Sequence, residues 1–449
     1  MNRAILRIAI PNIISNITVP LMGIISTAIA GRVGGDDAEL TIGALSIGVT
    51  IFNFIYWNCS FIRMGTSGLT AQAFGADDRR MMTLMLWRAI IVALGVGIVA
   101  FALQYPLGEL SLWFMAPDTE SSRQMISDYF YTRIWAVPAG IMLFAFNGWL
   151  TGIQNAVVPM IVAILVNIIH IVCSYLFSIE GSMGLEGIAL ASVVAQWSGV
   201  AVMVAIIVLR YGSRLVRVTL REILDMKAMR QFFSINGDII VRTFCLVAVY
   251  TFFTKASADM GDSTILAVNT ILLQLFTLFS YMNDGFAYAA EALTGRFIGA
   301  RDVVSLRRCI KLCVVWCMAV SVIFVGAYVG WWQEIFSMIA TSEDGDITTL
   351  LATAEEYIGW IIVIPIASAM PFVMDGIMVG ATRSRIMRNS MIYASLCYFA
   401  ILYGLGWLMG NNAIWLAFTS YMFLRGLFQY LMSNRLRSIY AEAERPLHP

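Results

Sequence analysis

Charge is what this 449-residue chain has least of: Asp, Glu, Lys and Arg make up 13% of it, against about a quarter in an ordinary soluble domain. Histidine is scarcer still, with two residues, and net charge is only +1. So weak a field gives no electrostatic footprint for nucleic acid. Catalytic signatures are missing as well. There is no Gly-x-Ser-x-Gly elbow and no His-Glu-x-x-His zinc motif. The alternation of apolar and polar residues that marks a membrane barrel is also absent. What remains is apolar: 59% of the residues belong to the set AVILMFWYC. Halved charge with a raised apolar share excludes a water-soluble enzyme and a disordered chain, and indicates a helical membrane protein.

Twelve apolar segments can be traced, at about 7–31, 42–74, 84–108, 125–152, 158–179, 187–209, 231–258, 264–298, 309–333, 350–381, 386–409 and 412–434. The first resembles a signal peptide, with Arg3 and Arg7 ahead of it and Ala28-Ile29-Ala30 at its end. It is too long for one and is interrupted by Pro11, Asn12 and Asn16, so a retained span is expected. Loops alternate in charge. Arg79 and Arg80, the run from Arg210 to Arg230, Arg301 with Arg307 and Arg308, Arg383 with Arg385 and Arg388, and Arg435 with Arg437 lie on one side. Asp36, Asp37, Asp118, Glu120, Glu180, Glu186, Asp259, Asp262, Glu334, Glu343, Asp344 and Asp346 lie on the other. The positive-inside rule then puts both termini in the cytoplasm of a multi-pass cell (inner or plasma) membrane protein.

The halves repeat. Gln72-Ala-Phe-Gly-Ala-Asp-Asp78 matches Arg296-Phe-Ile-Gly-Ala-Arg-Asp302, and the same offset pairs Phe52 with Phe276. Asn147-Gly148 and Gly152 match Asp375-Gly376 and Gly380. Six spans per half give the copies one orientation. Residues 1–209 are therefore expected to form one six-helix bundle, 210–230 a basic cytoplasmic linker and 231–449 a second bundle. A pseudo-twofold axis would relate the bundles around a central cavity that opens alternately to each side. Such an internal duplication makes a functional monomer plausible.

Charges inside the spans are costly, about 2.5–3.5 kcal/mol each on insertion scales, and so point to function. Asp238 and Arg242 lie four apart on span seven, on one helix face. Asp284 and Glu291 share a face of span eight, and Asp375 lies in span ten. One reading is a proton and cation pathway through the C-terminal half, in which burial and neighbouring Arg push carboxyl groups in opposite directions. The other is an internal ion pair, Asp238–Arg242, that only ties helices together. The N-terminal half keeps Arg63 and His170, the latter either an interhelical hydrogen bond or a proton carrier. Asn147, Asn167, Tyr281 and Asn283 are candidate cavity-lining groups beside Arg63. Twenty-six Met residues and 12% aromatics suit a permissive pocket for bulky, partly apolar ligands, or plain packing. Cys309, Cys313 and Cys317 form a stripe that reads better as small packing residues than as a metal site. No cofactor and no metal are expected. Pro11, Pro20, Pro138, Pro159, Pro365 and Pro371 are expected to kink helices.

Several stretches resemble signatures of the multidrug and toxic compound extrusion (MATE) family, in its DinF-like branch. They are Phe61-Ile-Arg-Met-Gly-Thr-Ser-Gly-Leu-Thr-Ala-Gln72, Asn236-Gly-Asp-Ile-Ile-Val-Arg242, Asp284-Gly-Phe-Ala-Tyr-Ala-Ala-Glu-Ala292, Asp375-Gly-Ile-Met-Val-Gly-Ala-Thr-Arg383 and Met387-Arg-Asn-Ser-Met391. The resemblance covers almost the whole chain. It implies a secondary antiporter, not an enzyme, that exports organic, often cationic or amphiphilic, compounds in exchange for cations. One departure stands out. Ser26 stands where the family has an Asp on span one, and His170 and Ser174 replace an Asn and an Asp on span five, with Ser192 the hydroxyl on span six. Both carboxylates of the family's N-terminal cation site are thus lost, and hydroxyls alone bind Na⁺ poorly. Coupling is expected to move to Asp238, Asp284, Glu291 or Asp375, or to His170, with H⁺ favoured over Na⁺. The excess of acids over bases in the C-terminal spans favours cationic cargo. A flippase for lipid-linked precursors is the alternative; it would favour several Arg facing a pyrophosphate, against which the acidic balance speaks. A membrane-embedded acyltransferase around His170 is a distant third.

Overall fold

The computed structural model describes residues 1–115, 119–340 and 346–444. Asp118, Glu343 and Asp344, expected in acidic loops, lie outside them. Among the described residues all regular structure is helical. Eleven helices are long and apolar enough to cross a membrane: α1 (Asn2–Gly34), α2 (Ala38–Gly75), α3 (Arg79–Ala102), α4 (Glu120–Gly152), α5 (Val157–Glu180), α6 (Gly184–Arg214), α7 (Met226–Ala258), α8 (Ser263–Gly299), α9 (Val303–Ile339), α10 (Ile358–Gly380) and α11 (Ser384–Met409). The twelfth expected span is the 22-residue helix α12 (Asn411–Met432), which is long enough but not as apolar. Asn411, Asn412, Arg425 and Gln429 lower its hydropathy, so it depends on burial within protein more than on contact with lipid.

Proline acts less uniformly than expected. α1 runs unbroken through Pro11 and Pro20, and α10 through Pro365 and Pro371. Pro159 sits in the first turn of α5, where the N–H it lacks has no helical partner in any case. Only α4 changes character, with a 3₁₀ turn at Ile134–Ala136 just ahead of Pro138. The carbonyl of Trp135 in that turn accepts from the Trp197 indole at 3.0 Å.

Contacts divide the chain into two compact units, Ile14–Phe233 and Met1–Ile13 with Ser234–Pro449. In the first, here the N-terminal unit, Phe52 is wholly buried against Tyr129 and Phe130. In the second, the C-terminal unit, its repeat partner Phe276 is wholly buried against Phe279 and Phe418.

The repeated motif has a structural meaning within each unit. After α2, Asp77 takes a left-handed φ of 54°, and Asp78 caps α3 by accepting from the Met81 amide at 2.8 Å. After α8, Arg301 takes a φ of 59°, and Asp302 caps α9 through the Ser305 amide at 2.9 Å. The second pairing behaves the same way: Gln154 after α4 and Thr382 after α10 have φ of 66° and 54°. The glycines of that pairing let backbones touch. A Cβ on Gly148 would lie 2.5 Å from the Arg63 carbonyl oxygen, and one on Gly152 would lie 2.6 Å from Thr70. A Cβ on Gly376 would lie 2.2 Å from the Ala287 oxygen, and one on Gly380 would lie 2.3 Å from that of Glu291. So α4 is set against α2, and α10 against α8, by the same device of small residues that membrane helices use in place of a hydrophobic driving force.

Candidate functional site

The C-terminal unit carries a charge network built from four helices. Asp375 on α10 accepts from Arg242 of α7 at 2.6 Å and from Gln429 of α12 at 2.5 Å. Arg425 of α12 lies 3.5 Å from the same carboxylate and 5.3 Å over the Phe372 ring. The Asp375 and Arg425 side chains are 8% and 3% exposed, so the pairs form where little water competes. Asp238 makes a separate pair with Arg388 of α11 at 2.6 Å, and the Ser384 hydroxyl donates to its other oxygen at 2.7 Å.

These contacts correct one expectation and supply partners that spacing did not suggest. Asp238 and Arg242 share a face of α7 but do not pair; each is claimed by a different helix, Asp238 by α11 and Arg242 by α10. Asp375, with no base one turn away in sequence, instead has two arginines from other helices. The acid excess shrinks accordingly. Four acids (Asp238, Asp284, Glu291, Asp375) face three bases (Arg242, Arg388, Arg425) rather than one, which removes most of the electrostatic case for cationic cargo.

The other predicted residues of this unit are placed as follows. Asp284 is half-buried and within electrostatic range of Arg242, Tyr250 and Tyr281. Glu291 is buried at the α8–α10 glycine contact. Tyr281 is half-buried. Asn283 is wholly buried, and neither its amide nitrogen nor its oxygen has a hydrogen-bond partner. Such an orphaned amide is a place for a bound water.

In the N-terminal unit the degenerate site comes together in part. His170 Nε2 lies 3.0 Å from the Ser192 hydroxyl and Nδ1 lies 3.5 Å from that of Ser174, joining α5 to α6. Ser192 also donates to the Ile188 carbonyl at 3.2 Å. Ser26 is buried on α1 and shares no hydrogen bond with them. Arg63 supplies the backbone that Gly148 packs against, and the neighbouring Asn147 has a buried, unpartnered carbonyl oxygen. Asn167 is half-buried on α5. Among the described residues no three His, Cys, Asp or Glu side chains are grouped to hold a metal, and all seven cysteines are free thiols.

Arg425, Gln429, Arg388 and Ser384 are members of the network that sequence spacing missed. A signal was present for the first two: an Arg and a Gln four apart in the last apolar run occupy one helix face.

Comparison with known proteins agrees with this architecture. The MatE family model matches twice, at residues 11–176 and 239–406, once in each half. The chain is 32% identical over 429 residues to DNA damage-inducible protein F of Escherichia coli (strain K12), covering 95% of this chain and 90% of that one. It is 23% identical over 438 residues to a probable multidrug resistance protein NorM of Bradyrhizobium diazoefficiens, covering 92% and 89%. A solved structure described as an outward-facing multidrug resistance MATE family transporter has the same fold, with a TM-score of 0.86 at 16% identity over 99% of this chain and 96% of that one.

Proposed function

Since this chain belongs to the MATE family, whose members are multi-pass membrane transporters and not enzymes, we propose that it is a secondary antiporter. It exports amphiphilic organic compounds by alternating access, in exchange for protons. The multidrug names of the relatives support organic cargo. The charge network of the C-terminal unit supports proton coupling. Asp375 accepts from Arg242 and Gln429 and forms an ion pair with Arg425, so protonating it would strand two largely buried cations. Asp284 is half-buried and lies within electrostatic range of Arg242. A proton on Asp284 therefore changes the charge that Arg242 feels without dismantling the Asp375 pairs, which makes Asp284 the loading site and Asp375 the anchor. Glu291 lies two turns further along the same face of α8, toward the end that carries the basic loops, and continues the path. With those loops and both termini in the cytoplasm, protons enter from outside and leave there.

The test is efflux of a fluorescent dye panel from vesicles at fixed membrane potential, with proton and sodium gradients imposed separately. Proton-driven efflux that Asp284→Asn abolishes, and that survives His170→Ala, is the expected result. Efflux driven by sodium alone, or proton-driven efflux intact in Asp284→Asn, overturns the proposal.

A further inference from the structure

The N-terminal unit contains a half-buried cation, Arg133, which nothing so far has used. It lies on α4, 13 residues from Glu120 and 19 from Gly152, hence about 20 Å or more from either end of the helix. Its guanidinium donates to the Tyr129 hydroxyl and lies 4.9 Å over the Phe52 ring and 5.4 Å over the Tyr129 ring. Its Nε is buried with no hydrogen-bond partner. Among the described residues no carboxylate pairs with it. The acid nearest in the chain, Asp128, accepts from Gln124 at 2.8 Å instead. Its stacking over Phe52 turns the side chain toward α2, and Tyr56 on α2 and His170 on α5 lie within its electrostatic range. Tyr56 donates to Gln196 at 3.1 Å and meets Phe144 edge-on with ring centroids 6.2 Å apart, while His170 is held by two serine hydroxyls. Aromatic and polar uncharged groups surround a full positive charge.

An uncompensated guanidinium at this depth costs about as much as any intramembrane charge, and rings and one phenol do not neutralise it. Ser26 and Ser174 of this unit supply only hydroxyls. We infer that the counter-ion is brought by the cargo: the N-terminal unit binds the anionic group, a carboxylate or sulfonate, of an amphiphilic compound. Arg133 takes the anionic oxygens in the bidentate manner that guanidinium favours. The half-buried rings of Tyr56 and Phe144 face its apolar body. Polarity in this unit is thus inverted relative to a cation site. The inference rests on the export reading for the identity of the ligand as cargo, but binding is measured apart from transport.

The probes are pyrenebutyrate and its amine counterpart pyrenebutylamine, equal in apolar bulk and opposite in charge. Binding is followed by fluorescence anisotropy on the full chain in phosphatidylcholine nanodiscs. The wild type is expected to prefer the carboxylate. Arg133→Gln should weaken the carboxylate about tenfold, the scale of one charge-assisted hydrogen bond, and leave the amine unchanged. Arg133→Lys should fall between them, and it decides the matter if the Gln variant does not insert. Preference of the wild type for the amine, or a Gln variant that changes both probes equally or neither, overturns the inference. Competition by phosphatidylglycerol added to the discs, lost in Arg133→Gln, would assign the site to lipid headgroups and also overturn it. If the charge preference holds but no proton-driven efflux of any compound is seen, the export reading fails and the binding site stands.

Discussion

At the scale of single residues, the C-terminal network separates two jobs that sequence alone leaves merged. Asp375 is a structural anion, and removing its charge strands Arg242 and Arg425. Asp375→Asn is expected to destabilise the protein by about 3–5 kcal/mol, the usual result of taking one partner from a buried pair. The check is the thermal midpoint in detergent, compared with the wild type. A similar midpoint for both would show that the pairing carries no stability. That charged residues lie in the spans was legible, because each stands out in an apolar run. Their partners were not legible, because a spacing of four suggests a mate on the same helix while a buried carboxylate accepts from whichever donor tertiary packing delivers. Arg242 and Asp238 sit one turn apart and still bond to α10 and α11. Arg133 was legible as a charge inside the expected span 125–152, but its lack of an acidic partner was not, because partners come from tertiary packing.

At the scale of elements, the repeat was legible as letters and acquires its cause in the caps. Asp302 ends the α8–α9 turn, and hydrogen bonds from Ser305 hold its carboxyl below the usual carboxylate range. A depressed folded value contributes stability above the unfolded value, near 4, that is lost as pH falls through the folded one. Asp302→Ala should cost about 1 kcal/mol at pH 7 and less as pH falls below the usual carboxylate range, read as the difference in melting midpoint. The glycine notches are less forgiving. Gly376→Ala drives a methyl into the Ala287 carbonyl, and an overpacking cost of about 1–3 kcal/mol, seen as lost monodisperse yield, is expected. A third device belongs to the basic segment after α6. Buried Arg88 of α3 donates to the carbonyls of Ile223 and Glu222 at 3.0 and 2.8 Å, and Val216 donates to Thr83 at 3.2 Å. The segment from 216 to 223 is therefore fastened to the N-terminal unit rather than free over its length. Arg88→Ala should raise the rate of trypsin cleavage at Arg217 and Arg221 severalfold, and an unchanged rate would show that the fastening is not what protects them.

At the scale of the whole molecule, membership of a transporter family and duplication within one chain were both visible from composition and motif. Cargo charge was not, because it depends on which intramembrane charges are already cancelled. Once Arg388 and Arg425 are counted, the C-terminal unit is close to neutral, while Arg133 leaves the N-terminal unit with a cation that has no acid. The glycine contact between α8 and α10 bears on how such a machine keeps its timing. With backbones pressed together at Gly376 and Gly380, the two helices cannot slide past one another. Arg242, which bonds Asp375 and lies within electrostatic range of Asp284, then lets a proton landing on Asp284 be felt at Asp375 as a change in voltage, with no lever between them.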